Sequence, residues 1–314
     1  MREEIIYELK SIYREPMHVR AFRFGSGKDS VCIMGATRGN EMQPLYICSR
    51  LIRALREEER RHHFVKDRSV MVIPTINSYS MNVGKRFWPT DNTDINRMFP
   101  GYAEGETTQR IAAGIFERIS RFEYGIQLAS YYMPGYFIPH VRIMKTGYEE
   151  PDLARLFGLP YVMLRQPKPY NTATLNYNWQ IWNTPAFSVY TCTADQIDEE
   201  SADIGVKAVL NFLRAAGILR GEAEQGSDSR VVNYEALIAV STSKAGLFRC
   251  LVDLNQEVHK GDVIASVLDP YTGEELERIL APADARVFFM HNQPLVYAYS
   301  VIFKLIPLDI PIKK

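Results

Sequence analysis

A short apolar run, Val31–Met34, breaks into the heptapeptide Gly-Ala-Thr-Arg-Gly-Asn-Glu at 35–41 and resumes with helical spacing. Four apolar residues closed by a glycine-containing turn read as a buried strand. From Asn40 to Leu55, the residues Met42, Leu45, Ile47, Leu51, Ile52 and Leu55 recur roughly once per helical turn. The chain is therefore expected to pass from a buried strand through a tight turn into an amphipathic helix.

The same alternation continues downstream. Ser69–Pro74 (SVMVIP) reads as a second buried strand, and Tyr124–Ser130 and Phe187–Thr191 as two more. Glu106–Ile119 and Ser201–Ala216 read as helices, the second stopped by Gly217. Strands alternating with helices predict an α/β layered fold with a mostly parallel sheet. Asn77–Pro100 lacks periodicity and is rich in Asn, Asp, Gly and Pro, so it is expected to be a long loop. Its density of Arg86, Phe87, Trp88, Asp94, Arg97 and Phe99 argues for an ordered, functional loop.

Composition shifts at the polar stretch 221–230 (GEAEQGSDSR). Beyond it, short runs such as ALIAV, VIASVL, RVFFM and SVIFKLI are separated by Gly, Asp, Asn and Pro, as in a small all-β domain. Two domains are expected, 1–225 and 231–314.

Charge and composition exclude several classes. Lys plus Arg and Asp plus Glu number 37 each, so nothing favours nucleic acid or an anionic membrane surface. No apolar run approaches the roughly 18 residues that span a bilayer. The opening MREEIIYELKSIYREP has no continuous apolar region of the kind a signal peptide needs. The four cysteines, Cys32, Cys48, Cys192 and Cys250, form no CxxC pair, which predicts a reduced, cytoplasmic setting.

The turn at 35–41 carries the chemical question. With histidine at position 38, residues 38 and 41 would be metal ligands at i and i+3. Arginine stays charged and has no lone pair to give a metal.

Four segments resemble the succinylglutamate desuccinylase/aspartoacylase family, relatives of the zinc carboxypeptidases. Gly35–Glu41 stands where the family has G-x-x-H-G-N/D-E. Asp94–Gly101 (DINRMFPG) is close to its D-L-N-R-x-F-P-G. Gly125–Ser130 (GIQLAS) stands at D-L-H-S/T, and Thr184–Val189 (TPAFSV) leads to the family's glutamate. The resemblance covers about residues 25–220. It implies a mixed sheet flanked by helices, followed by a small β-domain of barrel-sandwich type.

For the site, the resemblance implies zinc held by two histidines and a glutamate, with a second glutamate moving protons. Here the first histidine position is Arg38 and the metal-binding glutamate is Glu41. The second histidine falls at Ala129, with Gln127 two residues before it, and the base falls at Tyr190. Zinc is therefore expected to be absent and hydrolysis impaired. Asn96 and Arg97 match the pair that binds a substrate carboxylate, with Arg86 and Arg142 as further pocket cations. The expected ligand is a small carboxylate or an N-acyl amino acid.

Of the six histidines, only His140 lies near these segments, and it is expected to be structural. Cys192, two residues past Tyr190, is expected to be a buried inert thiol. The C-terminal part is similar to biotinyl and lipoyl carriers at Val258–Ile264 and Ala281–Val287. Its turn at Asp269–Glu274 (DPYTGE) has no lysine to carry a cofactor. That domain reads as a structural cover or as a contact between copies in a homo-oligomer. Two alternatives stay open: an active hydrolase with a non-standard site, and a scaffold partner of an active paralogue.

Overall fold

The computed structural model describes residues 1–11, 15–131, 133–192, 196–224, 226 and 228–309. They form two compact units, Met1–Ser130 with Pro139–Ser229, and Tyr131–Ile138 with Arg230–Lys314. The break thus falls between Ser229 and Arg230, and an eight-residue excursion from the first half of the chain joins the second unit.

The first unit is built on β1 (Arg2–Leu9), β2 (Met17–Gly25), β3 (Lys28–Ala36), β4 (Arg68–Thr75) and β5 (Tyr124–Ala129). After β6 (Tyr136–Phe137), which belongs to the second unit, come β7 (His140–Met144), β8 (Tyr161–Arg165) and β9 (Ala186–Tyr190). The sheet order is β1-β2-β4-β3-β5-β9-β7-β8. The pairs β3/β4, β3/β5, β5/β9 and β7/β8 are parallel. The pairs β1/β2, β2/β4 and β7/β9 are antiparallel. The sheet is mixed, as the family resemblance implied, with parallel pairs in its centre and the N-terminal hairpin antiparallel. The N-terminal hairpin escaped because β1 buries only Ile6 fully, whereas seven consecutive residues, Ser30–Ala36, are buried in the central β3.

Helices cover the sheet: α1 (Met42–Arg60), the short α2 (Ser78–Asn82), α3 (Thr107–Ile119), α4 (Pro151–Arg155), α5 (Leu175–Ile181) and α6 (Glu199–Ala215). In α1 the residues Ile47, Cys48, Leu51, Ile52 and Leu55 form the buried stripe, and in α3 the stripe is Ile111, Ala112, Ile115, Phe116 and Ile119. The expected loop 77–100 is corrected in part. It holds α2 and a 3-10 turn at Ile95–Arg97, both too short to show a period. Asn77 Oδ1 accepts from Ser80 N at 3.2 Å and Asp94 Oδ1 from Asn96 N at 3.0 Å, so each turn is capped by its own asparagine or aspartate. Trp88, Ile95 and Phe99 anchor the segment in the core beside Trp179 and Phe116.

In the second unit, after β10 (Arg230–Asn233), come β11 (Ile238–Ser241), β12 (Gly246–Cys250), β13 (Glu257–Val258), β14 (Val263–Leu268), β15 (Glu275–Leu280), β16 (Ala285–Met290), β17 (Leu295–Val296) and β18 (Val301–Pro307). Two antiparallel sheets, β11-β18-β16-β13 and β15-β14-β12-β17, enclose Val258, Ile264, Val267, Val287, Ile302, Phe303 and Leu305. β6 pairs with β16, a long-range addition that no local pattern announces. Residues 269–274 form the tight connection between β14 and β15, closed by Asp269 N donating to Glu274 O at 2.8 Å. Among the described residues no helix is long and apolar enough to cross a membrane.

Candidate functional site

β3, β5 and β9 run parallel and end at Ala36, Ala129 and Tyr190. Open α/β sheets place ligands beyond such carboxyl ends. Thr37, Arg38 and Ser130 follow directly, and Ala129 and Tyr190 are register partners. Gly39 lets the loop close over this edge. Its N–H donates to Arg86 O at 3.1 Å, and a Cβ there would collide with Lys85 O and Ser80.

Glu41 is 1% exposed. Its Oε2 accepts from Thr37 N (2.7 Å), Arg38 N (3.0 Å) and Thr37 Oγ1 (3.1 Å). Its Oε1 accepts from Ser130 Oγ (2.5 Å) and Arg38 Nη1 (2.9 Å). A carboxylate has about four lone-pair directions, so this one is saturated. Arg38, also buried, turns the rest of its fork on Asp94. Nε lies 3.1 Å from each carboxylate oxygen and Nη2 lies 2.9 Å from Oδ2. Burial opposes the charge on Arg38, but Glu41 and Asp94 outweigh it and push its pKa up. Burial likewise opposes ionised Glu41, and Arg38, Ser130 and Thr37 outweigh that and hold its carboxyl below the usual range.

The Arg38–Glu41 pair follows from the i, i+3 spacing. The part of Asp94 was missed, because the motif resemblance drew attention to the following Asn96 and Arg97. The usable signal was charge: a buried guanidinium with only one carboxylate leaves donors unspent, and Asp94 is the first acid of the neighbouring motif.

These residues do not fit a zinc ion. Arg38 has no lone pair, Ala129 has no donor, and Glu41 is fully engaged. Among the described residues no three of His, Cys, Asp and Glu are arranged to hold a metal. His140 is fully buried and stacks on Tyr190, with centroids 4.8 Å apart and planes 1° apart. Cys192 is partly exposed, a correction to the buried thiol expected from sequence.

The expected binding residues surround this centre. Asn96 Oδ1 accepts from Leu175 N at 3.2 Å, which ties the amide oxygen to the start of α5 and leaves the amide N–H group as the donor. Arg97 lies 5.6 Å from the Tyr170 ring, Arg86 lies 5.4 Å from the Phe87 ring, and Arg142 sits 4.4 Å over Tyr190. Burial and then Arg38 lower the pKa of Arg86, partly offset by Glu41 and Asp94. Arg97 is lowered by burial and then by Arg38 and Arg142, with Asp94 and Tyr190 opposing. Arg38, Arg86, Arg97 and Arg142 act on one another across this centre, while Glu41 and Asp94 are both paired with Arg38. An anion placed among them would relieve that repulsion.

Ser130→Ala tests how far Glu41 depends on its neighbours. Removing a hydrogen bond to a buried charge is expected to cost about 1.5–3 kcal/mol in urea unfolding. A change within error would show that Arg38 and Thr37 suffice.

The family model for the succinylglutamate desuccinylase/aspartoacylase catalytic domain matches residues 27–216. An N-alpha-acetyl-L-2,4-diaminobutyric acid deacetylase from Halomonas elongata is 25% identical over 264 residues, which is 80% of this chain and 73% of the relative. The product-bound ectoine utilization protein EutE (DoeB) from Ruegeria pomeroyi superposes with a TM-score of 0.80 at 19% identity, covering 97% of this chain and 94% of that one. A succinylglutamate desuccinylase from Silicibacter sp. gives 0.80 at 18% identity, covering 96% and 93%. The fold is accordingly zinc-carboxypeptidase-like, with an all-β C-terminal part. With the family model spanning well over half of the chain and all four motif segments, the chain belongs to the succinylglutamate desuccinylase/aspartoacylase family.

Proposed function

We propose that this member of a deacylase family is a metal-free, catalytically impaired relative that binds a small carboxylate, of the N-acyl amino acid type, at the arginine cluster. One observation carries the reading: Arg38 stands at the metal-ligand position and is locked there by Glu41 and Asp94. A guanidinium cannot lower the pKa of a bound water as a metal does, so the attacking hydroxide of the family chemistry has no source at this position. Tyr190, under Arg142 and stacked by His140, replaces the carboxylate base.

The chain's own groups still suit recognition. Arg97 offers a planar fork that matches a carboxylate bidentately, and Asn96 offers an amide donor whose oxygen is already anchored. Arg86 and Arg142 add charge from two further elements, so the ligand is gripped from several sides. One charge-assisted pair with a few hydrogen bonds supports affinities from about millimolar to micromolar.

Calorimetry with N-acetyl amino acids and dicarboxylates tests the reading. Arg97→Ala is expected to weaken every hit by about 10- to 100-fold, the equivalent of about 1.4–2.8 kcal/mol. Equal binding to the variant would place the ligand elsewhere and sink the proposal.

A further inference from the structure

Beneath the arginine cluster lies a row of polar side chains with no assigned task. Ser188 on β9 is in register with Gln127 on β5 and with Arg142 on β7. Strand side chains alternate between faces, so all three project from one face of the sheet. Gly125 shows what covers that face: a Cβ there would lie 2.6 Å from the Trp179 ring of α5. Along α5, Gln180 clamps the backbone of Met144 on β7, accepting from its N–H at 3.3 Å and donating to its carbonyl at 3.0 Å. Asn176 is one helical turn earlier on the same side, next to Leu175, whose N–H reaches Asn96. Asn176 therefore lies on the side of α5 that meets β7.

Asn176 is 2% exposed, and neither its Oδ1 nor its Nδ2 has a hydrogen-bond partner. Gln127 and Ser188 are also buried. Buried polar groups are nearly always paired, and leaving an amide unpaired costs free energy that an apolar residue would not. Elsewhere on α5 the amide donors are engaged: Asn178 Nδ2 donates to the carbonyls of Phe99, Thr172 and Thr174.

We propose that Asn176, Gln127 and Ser188 form a neutral polar subsite that takes an uncharged hydrogen-bonding side chain of the ligand, above all a carboxamide, while the arginines hold its carboxylate. A carboxamide both donates and accepts, and so matches Asn and Gln reciprocally. An alkyl group would leave the row unpaired. An ammonium would face Arg142 and Arg97 with no uncommitted carboxylate among Glu41 and Asp94. The inference rests on the carboxylate-binding reading above and adds the side-chain class.

The test is calorimetry on the full chain with N-acetyl-L-glutamine, N-acetyl-L-leucine and N-acetyl-L-glutamate. The glutamine derivative is expected to bind the wild type at least about 10-fold more tightly than the leucine derivative, in keeping with the cost of stranding buried polar groups. Asn176→Leu, with the same number and branching of side-chain heavy atoms, is expected to abolish that preference and keep leucine-derivative binding. Ser188→Ala should reduce the preference without disturbing the fold. Equal binding of the two derivatives by the wild type overturns the subsite, as does a preference that survives Asn176→Leu. Failure of every probe to bind the wild type instead removes the carboxylate reading and the subsite with it. Binding without preference removes the subsite alone.

Discussion

Arg38→Ala is expected to destabilise the protein by about 3–5 kcal/mol, the range for breaking a buried ion pair from one side. Both partners are shielded: the side chains of Arg38 and Glu41 are 8% and 2% exposed. The variant strands Glu41 and also takes the fork away from Asp94, so the loss has two carboxylate components. Urea unfolding measures it, and an unchanged midpoint would mean that Thr37 and Ser130 alone hold Glu41.

The pH dependence has a definite sign. In the wild type the Glu41 pKa is depressed below its ordinary 4.5. Its contribution is therefore present above about pH 4.5 and is lost as pH falls through the folded value. Without Arg38, burial is the first-ranked influence left on this carboxyl, and it raises the pKa. Arg38 is the foremost of the influences that lower this pKa, so Arg38→Ala forfeits most of the pH-dependent stabilisation, and its deficit should shrink as pH falls below about 4.5. A deficit constant from pH 7 to 3 would detach the arginine from Glu41.

Protein purified without chelators or a histidine tag is expected to contain far less than one zinc per chain and to leave N-acyl amino acids intact. The triple substitution Arg38→His, Ala129→His and Tyr190→Glu should recover zinc affinity by at least about 10³-fold, on the order of 4 kcal/mol. It restores two imidazoles beside Glu41, the donor set zinc takes in catalytic sites. Binding should return before rate, since Gln127 stands where the family has an aspartate and groups behind the ligands tune a metal strongly. Elemental analysis decides. About one zinc per wild-type chain, lost in Glu41→Ala, would overturn the metal-free reading, and robust chelator-insensitive turnover would favour an active site of another kind.

Much of the first unit was legible because its signals are local. Val31–Met34, Ser69–Pro74 and the stripe of α1 are long enough for periodicity to speak, and strands buried on both faces read as plain apolar runs. The family was legible because Asp94–Gly101 is a long and unusual string. Less visible were β1, a one-sided edge strand, and α5, a seven-residue helix rich in asparagine and glutamine.

The sequence by itself determined that Arg38 and Ala129 cannot donate to a metal, whatever the fold, and covalent composition is enough to say so. Spacing also determined that Arg38 and Glu41 could meet. Only the tertiary structure decided that Asp94 completes the clamp, from 56 residues away. It alone drew β6 into the second unit and left the Asn176 amide buried without a hydrogen-bond partner among the described residues. Such juxtapositions depend on strand register and on how a helix seats against a sheet. Those are properties of packing between distant segments, and no local pattern of side chains encodes them.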